Sequence, residues 1–209
     1  MLELFTSQAT TVNRATIMLE ESGLPYKTCL VVPGRKKPAL LQKANPQGRQ
    51  PTLVDHNGPD DKPVFVTQSI AIVIYIAEKS GILIPSDPRR RTLCIQRVLS
   101  HATDLYPSFQ APYFMRWMKP HPNEDAARWW EQRMVGYFQE LDTIFSESAF
   151  LAGDSYTIAD VVAYPGVERA LRDFPEVRMF KNIRRWKLAV GRRPTVRRGM
   201  AHTTSGAHS

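Results

Sequence analysis

Three short segments between residues 7 and 69 combine residue types that suit an extended molecule carrying a carboxylate and a thiol. Gln50-Pro51 opens a predicted strand, and a cis bond there would leave the backbone of Gln50 at a sheet edge, where a peptide can add as a further strand. Thr67-Gln68-Ser69 joins a strand to a helix, so free N–H groups and the positive helix end favour a carboxylate. Ser7-Gln8-Ala9-Thr10-Thr11 fills the turn before the first helix and offers hydroxyl donors that can stabilise a thiolate.

These hydroxyls also have a purely structural interpretation, because Ser and Thr at helix starts commonly act as caps. Other kinds of site are not indicated. The sequence has no Walker loop, dinucleotide-binding glycine motif or nucleophile elbow, which removes support for kinase and hydrolase functions. The five histidines are scattered, and Cys29 and Cys94 lie far apart without metal-ligand spacing, so no metal site is predicted.

An alternation of strands and helices is predicted to hold these segments. Apolar residues recur at helical spacing after the first strand, and Gly23 is a natural helix end. The turn-forming residues 56–61 join two short strands into a hairpin. The predicted order is βαβα followed by ββα, with strands at 2–6, 26–32, 51–55 and 64–66 and helices before Gly23, at 39–43 and at 69–80.

The chain beyond Gly81 changes character. Residues 82–89 are rich in proline and form a predicted linker, and the segment after them has helical spacing. Thr157 and Asp160 form a predicted capping box that fixes where a buried helix begins, so we expect them to act in stability. The predicted domains are therefore residues 1–81, an all-helical domain at 90–200 and a flexible tail at 201–209.

Composition and charge narrow the class of protein. With 209 residues, 43% hydrophobic and 23% charged, the chain has the composition of a soluble globular protein. The longest apolar run, 70–77, is too short to span a membrane, for which ~20 residues are needed, and the cysteine usage indicates a reducing cytoplasm. Eight basic residues and no acidic ones lie between Lys181 and Arg198, and the rest of the chain balances at 20 against 20. Such crowding is not the pattern of a nucleic-acid-binding surface.

Three motifs in this order resemble the cytosolic glutathione S-transferase family, and the resemblance covers nearly the whole chain. Residues 45–55 (NPQGRQPTLVD) resemble the family's loop and cis-proline strand. Gln68-Ser69-Ile70-Ala71-Ile72 with 75–79 (YIAEK) is similar to its γ-glutamyl-binding segment. Residues 151–160 (LAGDSYTIAD) resemble its C-terminal capping box.

The resemblance implies a fold of the α/β plus all-α class, in which an all-helical C-terminal domain follows a thioredoxin-like N-terminal domain. It implies glutathione as co-substrate and a homodimer. The residue spacing, charge distribution and short apolar runs described above predict no metal and no nucleic-acid or membrane partner. The expected glutathione-binding residues are Arg49, Gln50, Pro51, Gln68 and Ser69.

Two positions depart from the family's pattern. Gln50 stands where the family commonly has Val or Ile before the cis-proline. No Tyr or Cys is present in the first turn, where alignment with bacterial and fungal groups places Ala9 and Thr11 at their Thr and Asn. Thr11, then Thr10, then Ser7 are therefore the candidate catalytic hydroxyls, with Asn13 a weaker donor.

The expected function is a transferase that activates the glutathione thiol for attack on a hydrophobic electrophile, in the manner of detoxification enzymes. The helices around 106–118 are expected to shape the electrophile pocket. One alternative is glutathione-dependent disulfide reduction, without an enzyme mixed disulfide because the first turn has no Cys. The other is a binding or regulatory module that has lost turnover, which Ala9 and Gln50 would favour.

Overall fold

The computed structural model describes residues 1–117 and 120–202, and it divides into two compact units. The first unit comprises Met1–Ile84 together with the segment from Gly191, and the second comprises Pro85–Val190. The first contains a mixed sheet flanked by helices and the second is helical, so the predicted fold class is confirmed.

A four-stranded sheet with the order β2-β1-β3-β4 forms the centre of the first unit. Strand β1 pairs in parallel with β2, whereas the β1–β3 and β3–β4 pairs are antiparallel. The side chains of β1 and β3 are buried, as expected for the two interior strands. The strands are β1 Leu2–Thr6, β2 Tyr26–Leu30, β3 Thr52–Asp55 and β4 Val64–Thr67.

Helices follow the strands in the predicted βαβα and ββα order, at α1 Thr10–Ser22, α2 Ala39–Ala44 and α3 Ser69–Ser80. Gly23 and Gly81 end α1 and α3 in the left-handed conformation that favours glycine. Residues 12–19 of α1 are all buried, which shows that this helix lies inside the first unit rather than on its surface.

The second unit begins with α4 Pro88–Ser100, so the linker ends two residues earlier than predicted because Asp87 caps a helix with proline at its first position. A π-helical turn at His101–Leu105 leads into α5 Tyr106–Arg116. The helices α6 Glu124–Glu147, α7 Ile158–Asp173 and α8 Lys181–Gly191 follow. None of the described helices is both long and apolar enough to cross a membrane.

The predicted capping box at the start of α7 is confirmed, and it extends further than a cap. Asp160 accepts the Thr157 N–H at 2.9 Å and the Leu151 N–H at 3.0 Å. It also accepts the Trp186 indole N–H of α8 at 2.8 Å. Burial holds the pKa of the Asp160 carboxyl above its ordinary value, although these donors act to lower it. The carboxyl therefore joins the start of α7 to the preceding loop and to α8.

The end of the chain departs from the predicted domain limits. Helix α9, Pro194–Ala201, packs on α1 and belongs to the first unit, not to the helical domain predicted to run to residue 200. The sequence pattern shows that this segment is helical but does not show which surface it covers. In the predicted flexible tail, Ala201 ends α9 and the His202 ring lies 2.9 Å from the Tyr26 hydroxyl. Residues 203–209 lie outside the described residues.

Candidate functional site

The sheet register brings the three polar segments to one end of the sheet. Phe5 and Thr67, near the ends of β1 and β4, both pair with Thr52 at the start of β3. The chain therefore leaves β1 and β4, and enters β3, at the same place. A cleft of about 490 Å³ opens there, lined by Thr11, Asn45, Pro46, Gln47, Arg49, Gln50, Pro51, Thr67, Gln68 and Ser69.

The Gln50–Pro51 peptide bond is cis. The predicted sheet-edge position is wrong in one respect, because β3 lies between β1 and β4 and Gln50 stands at the end of an interior strand. Side chains hold the loop before this bond. The Thr52 hydroxyl donates to the Arg49 carbonyl at 2.8 Å, and the Asn45 amide donates to the same carbonyl at 3.2 Å. The side-chain amide of Gln50 donates back to the Gly48 carbonyl.

Ser69 lies at the first position of α3, buried to 8% exposure. Gln68 precedes it with a φ of 70°, a left-handed conformation that is uncommon for a residue with a side chain and often marks functional sites. This backbone turns the chain sharply from β4 into α3. Free N–H groups at the helix start and the Ser69 hydroxyl thus face the cleft together.

A buried arginine of α1 completes this corner. Arg14 is 3% exposed, and its Nη1 donates to the Ser69 Oγ at 3.3 Å. The Ser69 oxygen acts as acceptor, so its own proton is available to a ligand. The guanidinium also places a positive charge beside the start of α3. Sequence reasoning missed Arg14, although a lone ionisable residue inside a buried stretch of helix is a recognisable signal.

The structure separates the first-turn candidates. Helix α1 begins at Thr10, and the preceding Ala9 has no side chain to cap it. Thr11 lines the cleft, whereas Thr10 and Ser7 are not among the described lining residues. Asn13 is buried against α9 and donates to the Met200 carbonyl at 3.1 Å. Thr11 is therefore the candidate hydroxyl that the fold brings into the cleft.

Positive charge lies beside the loop that lines the cleft between Asn45 and Gln50. The Lys37 ammonium donates to the carbonyl of Gln47, a lining residue, at 3.1 Å. Gly48 has a φ of +62°, and a Cβ at that position would lie 2.5 Å from the Lys37 side chain. Glycine therefore permits both the turn and the close approach of Lys37. Arg49 lies exposed on the same loop.

The other end of the sheet serves stability. Asp55 is fully buried, with Lys79 Nζ and the Tyr75 hydroxyl each 2.7 Å from its Oδ2. Burial alone would raise the pKa of Asp55, but bonds from Lys79, Tyr75 and the Asn57 N–H hold it below the ordinary value. This carboxylate ties β3 to α3 far from the cleft.

The second unit contains a groove of about 170 Å³ that the segment expected to shape the electrophile pocket lines in part, together with Glu131 and residues 173–176. Its aromatic walls are Tyr113, Trp117 and Phe174, with Tyr113 and Trp117 centroids 5.4 Å apart. Met118 lies outside the described residues. Among residues 1–117 and 120–202, no group of three His, Cys, Asp or Glu side chains is placed to hold a metal ion.

The first unit is thioredoxin-like and has its cleft at a cis-proline, and a helical unit follows it in the sequence. This combination is the fold of a glutathione transferase. Comparison with known proteins agrees. Sequence models of the glutathione S-transferase N-terminal and C-terminal domains match residues 10–79 and 108–198. The chain belongs to the glutathione S-transferase family, and the predicted family and class of function are confirmed.

Individual relatives cover almost the whole chain. A glutathione transferase from Burkholderia graminis, solved with two glutathione molecules bound per subunit, is 30% identical with a TM-score of 0.87, covering 100% of this chain and 89% of that one. The disulfide-bond oxidoreductase YfcG of Escherichia coli is 25% identical over 93% of this chain and 92% of its own length. The Escherichia coli disulfide-bond oxidoreductase YghU is 29% identical over 98% of this chain and 76% of its own length.

Proposed function

We propose that the cleft of the first unit binds glutathione and lowers the pKa of its thiol for attack on a hydrophobic electrophile. The observation that carries this proposal is the convergence of Ser69 at the start of α3, Gln50 before β3 and Thr11 in the first turn of α1 on one cleft. Glutathione is an extended peptide with a carboxylate at each end and a thiol between them, and these positions offer groups suited to a carboxylate, to the peptide backbone and to the thiol.

The γ-glutamyl carboxylate is assigned to the corner formed by Ser69, the start of α3 and Arg14. The Ser69 hydroxyl and backbone N–H are its donors, Gln68 takes the neighbouring polar end, and Arg14 adds the positive charge. The cysteinyl backbone pairs with the backbone of Gln50, which precedes the cis-proline before β3. Arg49 and Lys37 provide positive charge for the glycyl carboxylate.

Thr11 and the N–H groups at the start of α1 are assigned to the thiol. A free thiol has a pKa of ~8.5. Lowering this pKa by about two pH units requires ~2.7 kcal/mol of preferential thiolate stabilisation. A hydroxyl hydrogen bond to a charged acceptor contributes ~1.5–3 kcal/mol, and the helix dipole adds ~0.3–1 kcal/mol. The two together reach the required amount.

In the proposed reaction the thiol proton leaves to solvent and the thiolate sulfur forms a bond to the electrophilic carbon. At a saturated or aryl carbon the bond to the leaving group breaks, and that group departs with its electron pair as an anion. At a conjugated alkene the π-electron pair moves onto the activating group, and the adduct then takes a proton from solvent. The test is to titrate the ultraviolet absorbance of bound glutathione thiolate against pH, beside calorimetry and assays with model electrophiles. We expect a thiol pKa well below ~8.5 together with turnover. Binding without a lowered thiol pKa and without turnover would instead identify a non-catalytic module.

Disulfide reduction is a second candidate, favoured by the names of the Escherichia coli relatives and by the two glutathione molecules in the Burkholderia structure. In this reaction the glutathione thiolate attacks a disulfide sulfur and releases one thiolate. A second glutathione thiolate then attacks the mixed disulfide, giving glutathione disulfide and the second thiol. Product analysis separates the two reactions, because only disulfide reduction forms glutathione disulfide in a one-to-one ratio with substrate consumed.

We also propose a homodimer and a cytoplasmic location. Helix α6 carries an exposed aromatic stripe: Trp129 is 51% exposed, and the Arg133 guanidinium lies 5.0 Å from its ring centroid and 5.5 Å from that of Tyr137. Exposed aromatic and arginine side chains are enriched at protein interfaces. Sedimentation should show dimers that Trp129→Glu dissociates, and wild-type particles of 23.8 kDa alone would contradict the assembly.

The two cysteines support the cytoplasmic location. Both are free thiols, as in a reducing compartment that contains glutathione.

A further inference from the structure

Helix α9 approaches α1 more closely than side chains normally allow. A Cβ placed on Gly199 would lie 2.6 Å from both the backbone N and the Cα of Ile17. Two helix backbones can meet at this distance only where one of them carries glycine. Any larger residue at position 199 must move α9 away from α1.

Two hydrogen bonds join the helices beside this contact, and both donors precede Ile17 on α1. The Thr16 hydroxyl donates to the Gly199 carbonyl at 2.7 Å, and the Asn13 amide donates to the Met200 carbonyl at 3.1 Å. Both carbonyls lie in the last turn of α9, the part of a helix whose carbonyls commonly accept bonds from outside it. Thr16 and Asn13 are themselves buried, so α1 supplies the donors that α9 needs there.

The other end of α9 is attached to the other end of α1. Glu21 accepts both the Arg193 Nε and Nη2 donors at 2.8 Å, and the Thr195 hydroxyl at 2.6 Å. Helix α9 is thus bonded near the first turn of α1 and again near its last turn. A shift of α1 along its axis would break bonds at both ends.

We infer that α9 positions the first turn of α1, and with it Thr11, for the thiol activation proposed above, on which this inference rests. Asn13 lies two residues after Thr11 and one before Arg14, so the bond to Met200 acts directly on the turn that lines the cleft. A displacement of ~1 Å in a reacting group can cost ~100-fold in rate. Asn13, Thr16 and Gly199 are therefore positioning residues, which explains the presence of a buried asparagine beside the cleft.

The test uses the full chain and the thiol pKa of bound glutathione. Gly199→Ala should raise that pKa toward ~8.5 and lower turnover by roughly 10- to 100-fold. Gly136→Ala is the matched control, because Gly136 lies in α6 with no atom within 4 Å of the added Cβ, and it should leave both quantities unchanged. Thr16→Val should likewise raise the thiol pKa and lower turnover. Thr16→Ser keeps the hydroxyl and should therefore have the wild-type thiol pKa.

The outcomes distinguish this inference from the proposed function. A wild-type thiol pKa in Gly199→Ala overturns the inference and leaves the proposed function intact. If Gly199→Ala does not fold, the thiol pKa in Thr16→Val is measured instead, and a wild-type value there overturns the inference. A wild-type protein that binds glutathione without lowering its thiol pKa overturns the proposed function and this inference with it.

Discussion

Replacing Ser69 by Ala removes one hydroxyl from the corner assigned to the γ-glutamyl carboxylate. The hydroxyl oxygen accepts from Arg14 Nη1 at 3.3 Å, and a hydroxyl that accepts one bond can still donate its own proton to a ligand oxygen. Alanine keeps the Cβ, the helix start and the backbone N–H. The substitution therefore isolates one hydrogen bond to a charged group.

The expected loss follows from the charge on the acceptor. Hydrogen bonds to charged groups contribute ~1.5–3 kcal/mol, which corresponds to a dissociation constant for glutathione weaker by roughly 10- to 150-fold. Arg14 would lose its bond to the Ser69 oxygen as well, and this loss moves the result toward the upper part of the range. The pKa of the bound thiol should stay at its wild-type value, because Ser69 lies at the carboxylate end of the ligand.

Calorimetry with two ligands measures this loss and tests its cause. Glutathione and an analogue with the γ-glutamyl carboxylate converted to an amide are each titrated into wild type and Ser69→Ala. The substitution should weaken binding of the analogue much less than binding of glutathione. Ser80→Ala is the control, because the Ser80 hydroxyl bonds to the Ile76 carbonyl at 2.7 Å at the far end of α3. Equal losses for both ligands, or a change of less than about twofold for glutathione, would refute the assignment.

Three further outcomes are expected. Thr11→Ala should raise the pKa of the bound glutathione thiol and reduce turnover more than affinity, whereas Thr10→Ala should do neither. Titrating the ultraviolet absorbance of the bound thiolate against pH in both variants checks this. Thr157→Ala should lower the free energy of unfolding by ~1–2 kcal/mol in denaturant titrations without changing glutathione affinity; a variant with wild-type stability contradicts the capping role. The bonds that Asp55 makes with Lys79 and its neighbours lower its pKa in the folded protein. These bonds therefore stabilise the fold at pH values above the unfolded-state pKa of ~3.9, and the stabilisation is lost as the pH falls through the lower folded-state pKa. Asp55→Asn should therefore be less stable at neutral pH and lose less stability below about pH 4, and parallel pH dependences would contradict it.

The basic C-terminal segment illustrates how tertiary contacts change the meaning of composition. Arg198 Nε lies 2.5 Å from Glu20, and Arg193 forms a bidentate pair with Glu21. Part of the local excess of positive charge is therefore neutralised by acidic residues of α1 that are distant in sequence. These two arginines attach α9 to α1 within the first unit.

Most of the candidate site follows from local sequence. Proline after Gln50, serine after Gln68 and threonine at position 11 stand at the junctions of strands and helices, where local rules already predict free backbone groups. The sequence therefore predicts which segments meet ligands. The choice among Thr11, Thr10 and Ser7 depends on the rotation of α1 against the sheet, and only the packed structure shows that Thr11 lines the cleft.

The sequence by itself determined the order of strands and helices, the proline junction and the capping box of Thr157 and Asp160, because turns, caps and hydrophobic periodicity act within a few residues. The tertiary structure decided the burial of Arg14 under Ser69, the direction of Asn13 toward Met200 and the placement of α9 on α1. Arg14 and Ser69 are 55 positions apart in the sequence, and Asn13 and Met200 are 187 positions apart. Local propensity carries no information over such separations, so they are set by which surfaces bury one another when the whole chain packs.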